Sequence, residues 1–164
     1  MKSFQRILMA TDFTEASGPA WNRAVALARE NGAELFVAHV YEPPNSVQAE
    51  AVAPGVFEEW NTTLRANVAR KLQLIAGEAW KSGVLAHTLV LTGMPDEAIA
   101  EAAREHTIDL VVIGTHGRTG LARLFLGSVA SRLIATSPCA VLTVRSTELA
   151  PHRVSDDAVV AMRA

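Results

Sequence analysis

Four short, mostly apolar runs recur along the chain, and polar and apolar residues do not alternate within them. They cover residues 7–10, 35–38, 110–113 and 140–144. Runs of this length without alternation are typical of strands buried on both faces, as parallel sheets require. Residues 87–91 mix polar and apolar side chains and predict a fifth strand nearer an edge of the sheet.

Between the runs, apolar residues recur every three or four positions, which is the period of a helix. One helix is predicted after Ser17, which can cap it, and ends at Gly32. A longer helix over residues 57–82 carries a continuous apolar stripe, so we expect Trp60 and Trp80 to be packing residues. Two more helices are predicted, over residues 95–106 and 128–136.

Strands and helices alternate from one end of the pattern to the other. This order predicts an α/β fold in which helices cover both faces of a parallel sheet through right-handed crossovers. The 164 residues suit one domain, which we assign to residues 1–146. Residues 147–164 are predicted to be a C-terminal extension, either disordered or forming a short helix.

The amino-acid composition limits which binding partners and which cellular location we expect. The hydrophobic share of 49% supports a sizeable core, and the net charge of −2 argues against a nucleic-acid-binding face. The sequence has no apolar run of the roughly 20 residues that a membrane span needs. Residues 1–6 do not resemble a signal peptide, so we expect a cytoplasmic protein. The single cysteine, Cys139, is interpreted as a buried strand residue.

Candidate chemistry lies where the predicted strands end. Parallel α/β sheets bind ligands at the carboxyl ends of their strands, where the strand order reverses. The polar or glycine residues at these ends are Thr11 and Asp12 after the first strand, His39 and Val40 after the second, Gly93 after the third and residues 114–117 after the fourth.

The end of the fourth strand is the most informative. It reads Gly-Thr-His-Gly-Arg-Thr-Gly over residues 114–120, and a helix opens later at Gly127-Ser128-Val129. Glycines allow backbone N–H groups to approach phosphate oxygens closely. The start of a helix adds free N–H groups and a positive dipole end. We therefore predict a phosphate-binding site between this loop and the helix start.

The spacing Gly114-x2-Gly117-x9-Gly127-Ser128 resembles the ATP-binding signature of the universal stress protein family. The resemblance extends over residues 4–145. It includes the Ile-Leu-Met-Ala-Thr-Asp sequence of residues 7–12, the His39-Val40 pair and the Gly-Met-Pro turn of residues 93–95.

The resemblance implies a five-stranded sheet in the order 3-2-1-4-5, which brings Asp12 beside Gly114. It implies that Asp12 and the Val40 backbone hold the nucleoside of ATP, and that Ile113 lines its adenine–ribose side. Phosphates, with Mg²⁺, would lie against a set of loop and helix-start residues. The full predicted nucleotide-binding set is Thr11, Asp12, Val40, Ile113, Gly114, Gly117, Arg118, Gly127, Ser128 and Val129. The resemblance also implies a homodimer formed through strand Ala140–Val144.

Other readings of the same residues remain open. Asp12, His116 and Ser128 could form a catalytic trio, although Ser128 does not lie in a Gly-x-Ser-x-Gly turn. Slow ATP hydrolysis is a second alternative, with Arg118 and Arg123 as nearby cations. The chain has neither a Gly-x-Gly-x-x-Gly sequence after its first strand nor a Walker loop, and its histidines are not at metal-ligand spacing. The last alternative is a dimeric module that acts on an unidentified protein partner independently of nucleotide.

Overall fold

The described part of the chain is built around a five-stranded parallel sheet. The computed structural model describes residues 4–42, 54–115 and 127–145. In these segments the strands are β1 (Arg6–Ala10), β2 (Glu34–Tyr41), β3 (Ala86–Thr92), β4 (Leu110–Gly114) and β5 (Ala140–Val144). The helices are α1 (Gly18–Asn31), α2 (Pro54–Lys81), α3 (Pro95–Glu105) and α4 (Ser128–Thr136). The strand order is β3-β2-β1-β4-β5, which confirms the prediction.

Each face of the sheet has its own core. On one face, Ile7, Met9 and the alanines of α1 pack with the buried residues of α2. On the other face, Leu8 and Ala10 pack with residues of α3 and α4. Neighbouring β1 residues belong to opposite cores because side chains alternate along a strand. This double burial explains the uninterrupted apolar runs and confirms the prediction of helices on both faces.

Local sequence sets where the helices around the sheet begin and end. Gly32 ends α1 with a φ of 64°, and its N–H donates to carbonyls of the last turn. Pro95 opens α3, followed by Asp96 and Glu97, whose negative charges suit the positive end of the helix dipole. Ser17 precedes α1 as predicted, but its hydroxyl makes no cap hydrogen bond and donates to the Thr14 carbonyl instead.

Two details of the sequence-based assignment are corrected. β2 continues to Tyr41, so His39 and Val40 lie inside the strand rather than after it. Trp60 and Trp80 were expected to pack, but they are 46% and 60% exposed. The 28 residues of α2 span about 42 Å, far more than a strand of five to eight residues, so one end of the helix extends past the sheet.

Several predicted segments lie outside the described residues. They are the loop of residues 116–126 and the extension of residues 147–164, and residues 43–53 also lie outside the described segments. Within the described segments, none of the helices has the length and apolar character needed to cross a membrane.

Candidate functional site

The strand order reverses at the carboxyl ends of β1 and β4. Ala10 at the end of β1 lies opposite Ile113 in the parallel register, so Asp12 and Gly114 follow at the same edge of the sheet. The helix after β1 covers one face and the helix after β4 covers the other. A crevice at such a reversal is the usual ligand site of an open α/β sheet.

Predicted site residues from four elements face the same side of this edge. Val40 of β2, Ile113 of β4 and Val129 of α4 all belong to or pack against the core between the sheet and α3–α4. Ala10 of β1 lies in that core too, and strand alternation assigns Asp12, two residues later, to the same side. The fold therefore gathers these residues around one end of the crevice.

Asp12 has one carboxylate oxygen satisfied and one without a partner. Its Oδ1 accepts hydrogen bonds from the Thr14 N–H (3.0 Å) and the Thr14 hydroxyl (2.7 Å). Its Oδ2 is buried and has no hydrogen-bond partner among the residues that the structure describes. A buried acceptor without a partner is costly, so Oδ2 is well suited to accept a hydrogen bond from a ligand.

Thr11 stabilises the turn that carries Asp12 through hydrogen bonds within the protein. Its N–H donates to the Ala38 carbonyl (2.9 Å), which continues the ladder between β1 and β2. Its hydroxyl accepts from the Phe13 N–H (3.0 Å) and lies 3.0 Å from the Ser17 hydroxyl. The residue is only 8% exposed. Thr11 thus supports the site from behind.

The start of α4 offers backbone donors at the same edge. Gly127 occupies the cap position, and its N–H donates to the Thr115 carbonyl (2.7 Å). The first hydrogen bond of the helix runs from the Ser131 N–H to the Gly127 carbonyl (2.9 Å). The N–H groups of Ser128 and Val129 precede that bond and have no partner inside the helix. This end of α4 therefore favours an anion.

The remaining predicted site residues divide into two groups. Gly114 ends β4 and is half-buried, and the Thr115 N–H after it donates to the Val144 carbonyl (3.0 Å). Gly117 and Arg118 lie outside the described residues, as does His116 of the catalytic alternative. The structure therefore describes only the two ends of the phosphate loop.

Asp96 is a residue of interest that the sequence reasoning missed. It lies in the first turn of α3, on the core side shared with α4, and is only 6% exposed. Its Oδ1 has no hydrogen-bond partner within the described segments, and the Arg132 Nε of α4 lies 3.8 Å away. One sequence signal could have identified Asp96: an acidic residue directly after a proline that begins a helix at the carboxyl edge of the sheet.

Cys139 was predicted to be a buried strand residue, but it is half-buried and lies just before β5. Burial raises the pKa of its thiol, which disfavours the reactive thiolate. The residues described contain no group of three or more His, Cys, Asp or Glu side chains that could hold a metal ion. The chemistry of the edge is that of hydrogen-bond acceptors and backbone donors.

Comparison with known proteins gives consistent matches over most of the chain. The sequence profile of the universal stress protein family matches residues 3–145. Universal stress protein MJ0531 of Methanocaldococcus jannaschii is 34% identical over 142 residues, which cover 87% of this chain and 82% of that protein.

Solved structures match the fold as well. The hypothetical protein MJ0577 superposes with a TM-score of 0.75 at 26% identity, covering 87% of this chain and 96% of that one. A universal stress protein solved in complex with cAMP superposes with a TM-score of 0.67 at 26% identity, covering 89% of this chain and all of that one.

Proposed function

The chain belongs to the universal stress protein family, and from this membership and the geometry of the site we propose that it binds ATP as a nucleotide-dependent regulatory module. One observation carries the proposal. Asp12 presents an unpartnered acceptor at the same edge and on the same side of the sheet as the open N-terminus of α4. A nucleotide site requires a hydrogen-bond acceptor for the nucleoside and hydrogen-bond donors for the phosphates.

The nucleoside end is proposed to lie between Asp12 and Val40. Nucleoside hydroxyl and amino groups are donors, and Asp12 Oδ2 is an acceptor that no described residue uses. The side chains of Val40 and Ile113 offer an apolar surface on the same side. A relative in the same fold was solved with cAMP, which is also an adenine nucleotide. These points support adenine as the base.

The phosphate end is proposed to lie on the glycine loop and the first turn of α4. Gly117, Arg118, Gly127, Ser128 and Val129 would surround the phosphates. Mg²⁺ prefers oxygen ligands and usually keeps several waters and phosphate oxygens. The Ser128 hydroxyl and the carboxylates at this edge are oxygen donors of that kind. Mg²⁺ bound there would neutralise phosphate charge, and the proposal assigns no catalytic residue.

A homodimer formed through β5 is part of the proposal. The sheet has two edges, β3 and β5. At the β3 edge the Leu85 carbonyl accepts from the β2 N–H of Leu35, so the next carbonyl, that of Ala86, points outward. The Trp80 indole N–H donates to that outward carbonyl (3.1 Å). This bond occupies one outward group of β3, and the half-buried β5 is the edge that we propose pairs with a second copy.

Calorimetric titration of nucleotide-free protein with ATP tests this function. We expect saturable binding near one ATP per chain, strengthened by Mg²⁺ and weaker for AMP and GTP. Because a ligand that binds only the folded state stabilises it, ATP at about 100 times Kd should raise the free energy of unfolding by about 2.7 kcal/mol. Neither heat nor thermal stabilisation with ATP would contradict the proposal and favour a module that acts through a protein partner alone.

A further inference from the structure

Phe13, directly after Asp12, has a backbone conformation that large side chains rarely adopt. Its φ is 63°, and in the described segments the one other non-glycine residue with positive φ is Thr107. Thr107 follows the end of α3, where left-handed residues commonly terminate helices. No helix end explains Phe13. An aromatic residue in the left-handed region is an outlier that surrounding contacts must hold in place.

Contacts behind the site hold Phe13 in this conformation. Its N–H donates to the Thr11 hydroxyl (3.0 Å), and its ring lies 4.2 Å from the His39 ring, centre to centre. The His39 ring is itself fixed, because its Nδ1 donates to the Thr11 carbonyl (2.6 Å). The ammonium of Lys71 on α2 lies 5.3 Å from the centre of the Phe13 ring, within cation–π range. His39 of β2 and Lys71 of α2 therefore hold the Phe13 ring, and we call this pair the clamp, while Thr11 holds the Phe13 backbone.

The clamp and the ligand acceptor lie on opposite faces of the sheet. The Phe13 ring packs against the core formed with α1 and α2. Ala10 packs on the side of α3 and α4, and alternation continued from Ala10 assigns Asp12 to that side. The left-handed turn at Phe13 lets the Thr14 N–H and hydroxyl reach back to Asp12 Oδ1. With Oδ1 held there, Oδ2 is left as the buried acceptor without a partner.

We propose that Phe13 is a positioning residue of the nucleotide site: its left-handed backbone, clamped by His39 and Lys71, fixes the Asp12 carboxylate with Oδ2 turned toward the ligand. The proposal rests on the proposed function for the identity of that ligand. Its structural part, the orientation of Asp12, is independent of any ligand.

A matched pair of variants separates the backbone from the ring. F13G and F13A both remove the ring, and both leave a space beside an existing cavity of about 200 Å³ lined by Phe13 and Trp21. They differ in that glycine adopts positive φ readily and alanine does not. Any difference between the two variants therefore reports the backbone conformation at position 13 and not the lost packing.

The first readout is hydrogen exchange of the Thr14 amide in nucleotide-free protein, because this N–H is bonded to Asp12 Oδ1. We expect exchange about 5- to 30-fold faster in F13A than in F13G, which corresponds to the usual cost of a left-handed L-residue. The Val112 amide in the central strand β4 serves as the reference for overall stability. Equal Thr14 exchange in the two variants, after correction by that reference, would overturn the proposal.

The second readout is the Kd for ATP. If Phe13 positions Asp12, F13G should bind ATP more tightly than F13A, by at least about 5-fold. Tight and equal binding by both variants and the unmodified protein would overturn the positioning role while leaving the proposed function intact. Absence of ATP binding by the unmodified protein would remove the proposed function, and Thr14 exchange would still decide the role of Phe13.

Discussion

Replacing Asp12 with asparagine is expected to weaken ATP binding by about 10- to 100-fold while leaving the fold intact. Asparagine has the shape of aspartate, and its amide oxygen can still accept the two Thr14 hydrogen bonds. The amide nitrogen then occupies the place of Oδ2 and turns a donor toward donor groups of the ligand. Losing a hydrogen bond to a charged acceptor costs about 1.5–3 kcal/mol, which gives the range stated. Calorimetry with ATP measures the change.

Glu15 supplies the control for charge. It lies three residues further on in the same turn region and is exposed. E15Q removes one negative charge, as D12N does, but not the buried acceptor, so it should leave the Kd for ATP within about 2-fold, as expected for a screened surface charge. An equal effect of D12N and E15Q would mean that Asp12 acts only through long-range electrostatics. Normal ATP binding by D12N would remove Asp12 from the site.

The second large effect is expected from T143P, which should prevent the proposed dimer from forming and leave a monomer. The Thr115 N–H donates to the Val144 carbonyl, so Val144 and Leu142 bond to β4 and Thr143 turns its backbone N–H to the free edge. Proline removes that outward donor without removing a hydrogen bond of the sheet, and edge strands tolerate it there. Sedimentation or light scattering measures the mass, and circular dichroism verifies the fold.

T143V is the matched control for the dimer interface. Valine keeps the N–H, favours strands and removes the same hydroxyl, so T143V should remain dimeric. A folded T143P variant with the mass of a dimer would show that the subunits associate elsewhere. Loss of the dimer in both variants would assign the effect to the Thr143 side chain instead of the strand edge.

The sequence predicts the frame of this fold well because burial dictates it. The runs at residues 7–10 and 110–113 lie in the central strands and are fully enclosed by two layers of helices, so no polar residue interrupts them. Once those strands and the glycine spacing are recognised, the edge with Asp12, Gly114 and the start of α4 follows. The family resemblance, which supplied the strand order, is confirmed by the topology.

Features that depend on tertiary contacts were harder to predict from the sequence. The apolar stripe of α2 is continuous in sequence, but the helix is longer than the sheet. Trp60 belongs to the same stripe and is nevertheless exposed. Phenylalanine is not a residue typical of turns, and the Phe13 ring, whose backbone has a left-handed φ, contacts residues 39 and 71, which are distant in sequence. The burial of Asp96 and the 3.8 Å distance from its Oδ1 to the Arg132 Nε likewise depend on how α3 packs against α4.

Asp12 and the start of α4 are proposed to belong to one nucleotide site, and NMR titration of isotope-labelled protein with ATP can show whether they do. We expect the backbone amides of Thr14, Ser128 and Val129 to shift together and to saturate with one Kd near one ATP per chain. An equal amount of GTP should move them less, because GTP is expected to bind more weakly. The Thr88 amide, in the edge strand β3, should not respond. Shifts at Thr14 without shifts at Ser128 and Val129, or shifts centred away from this edge, would show that Asp12 and the start of α4 do not share one nucleotide site.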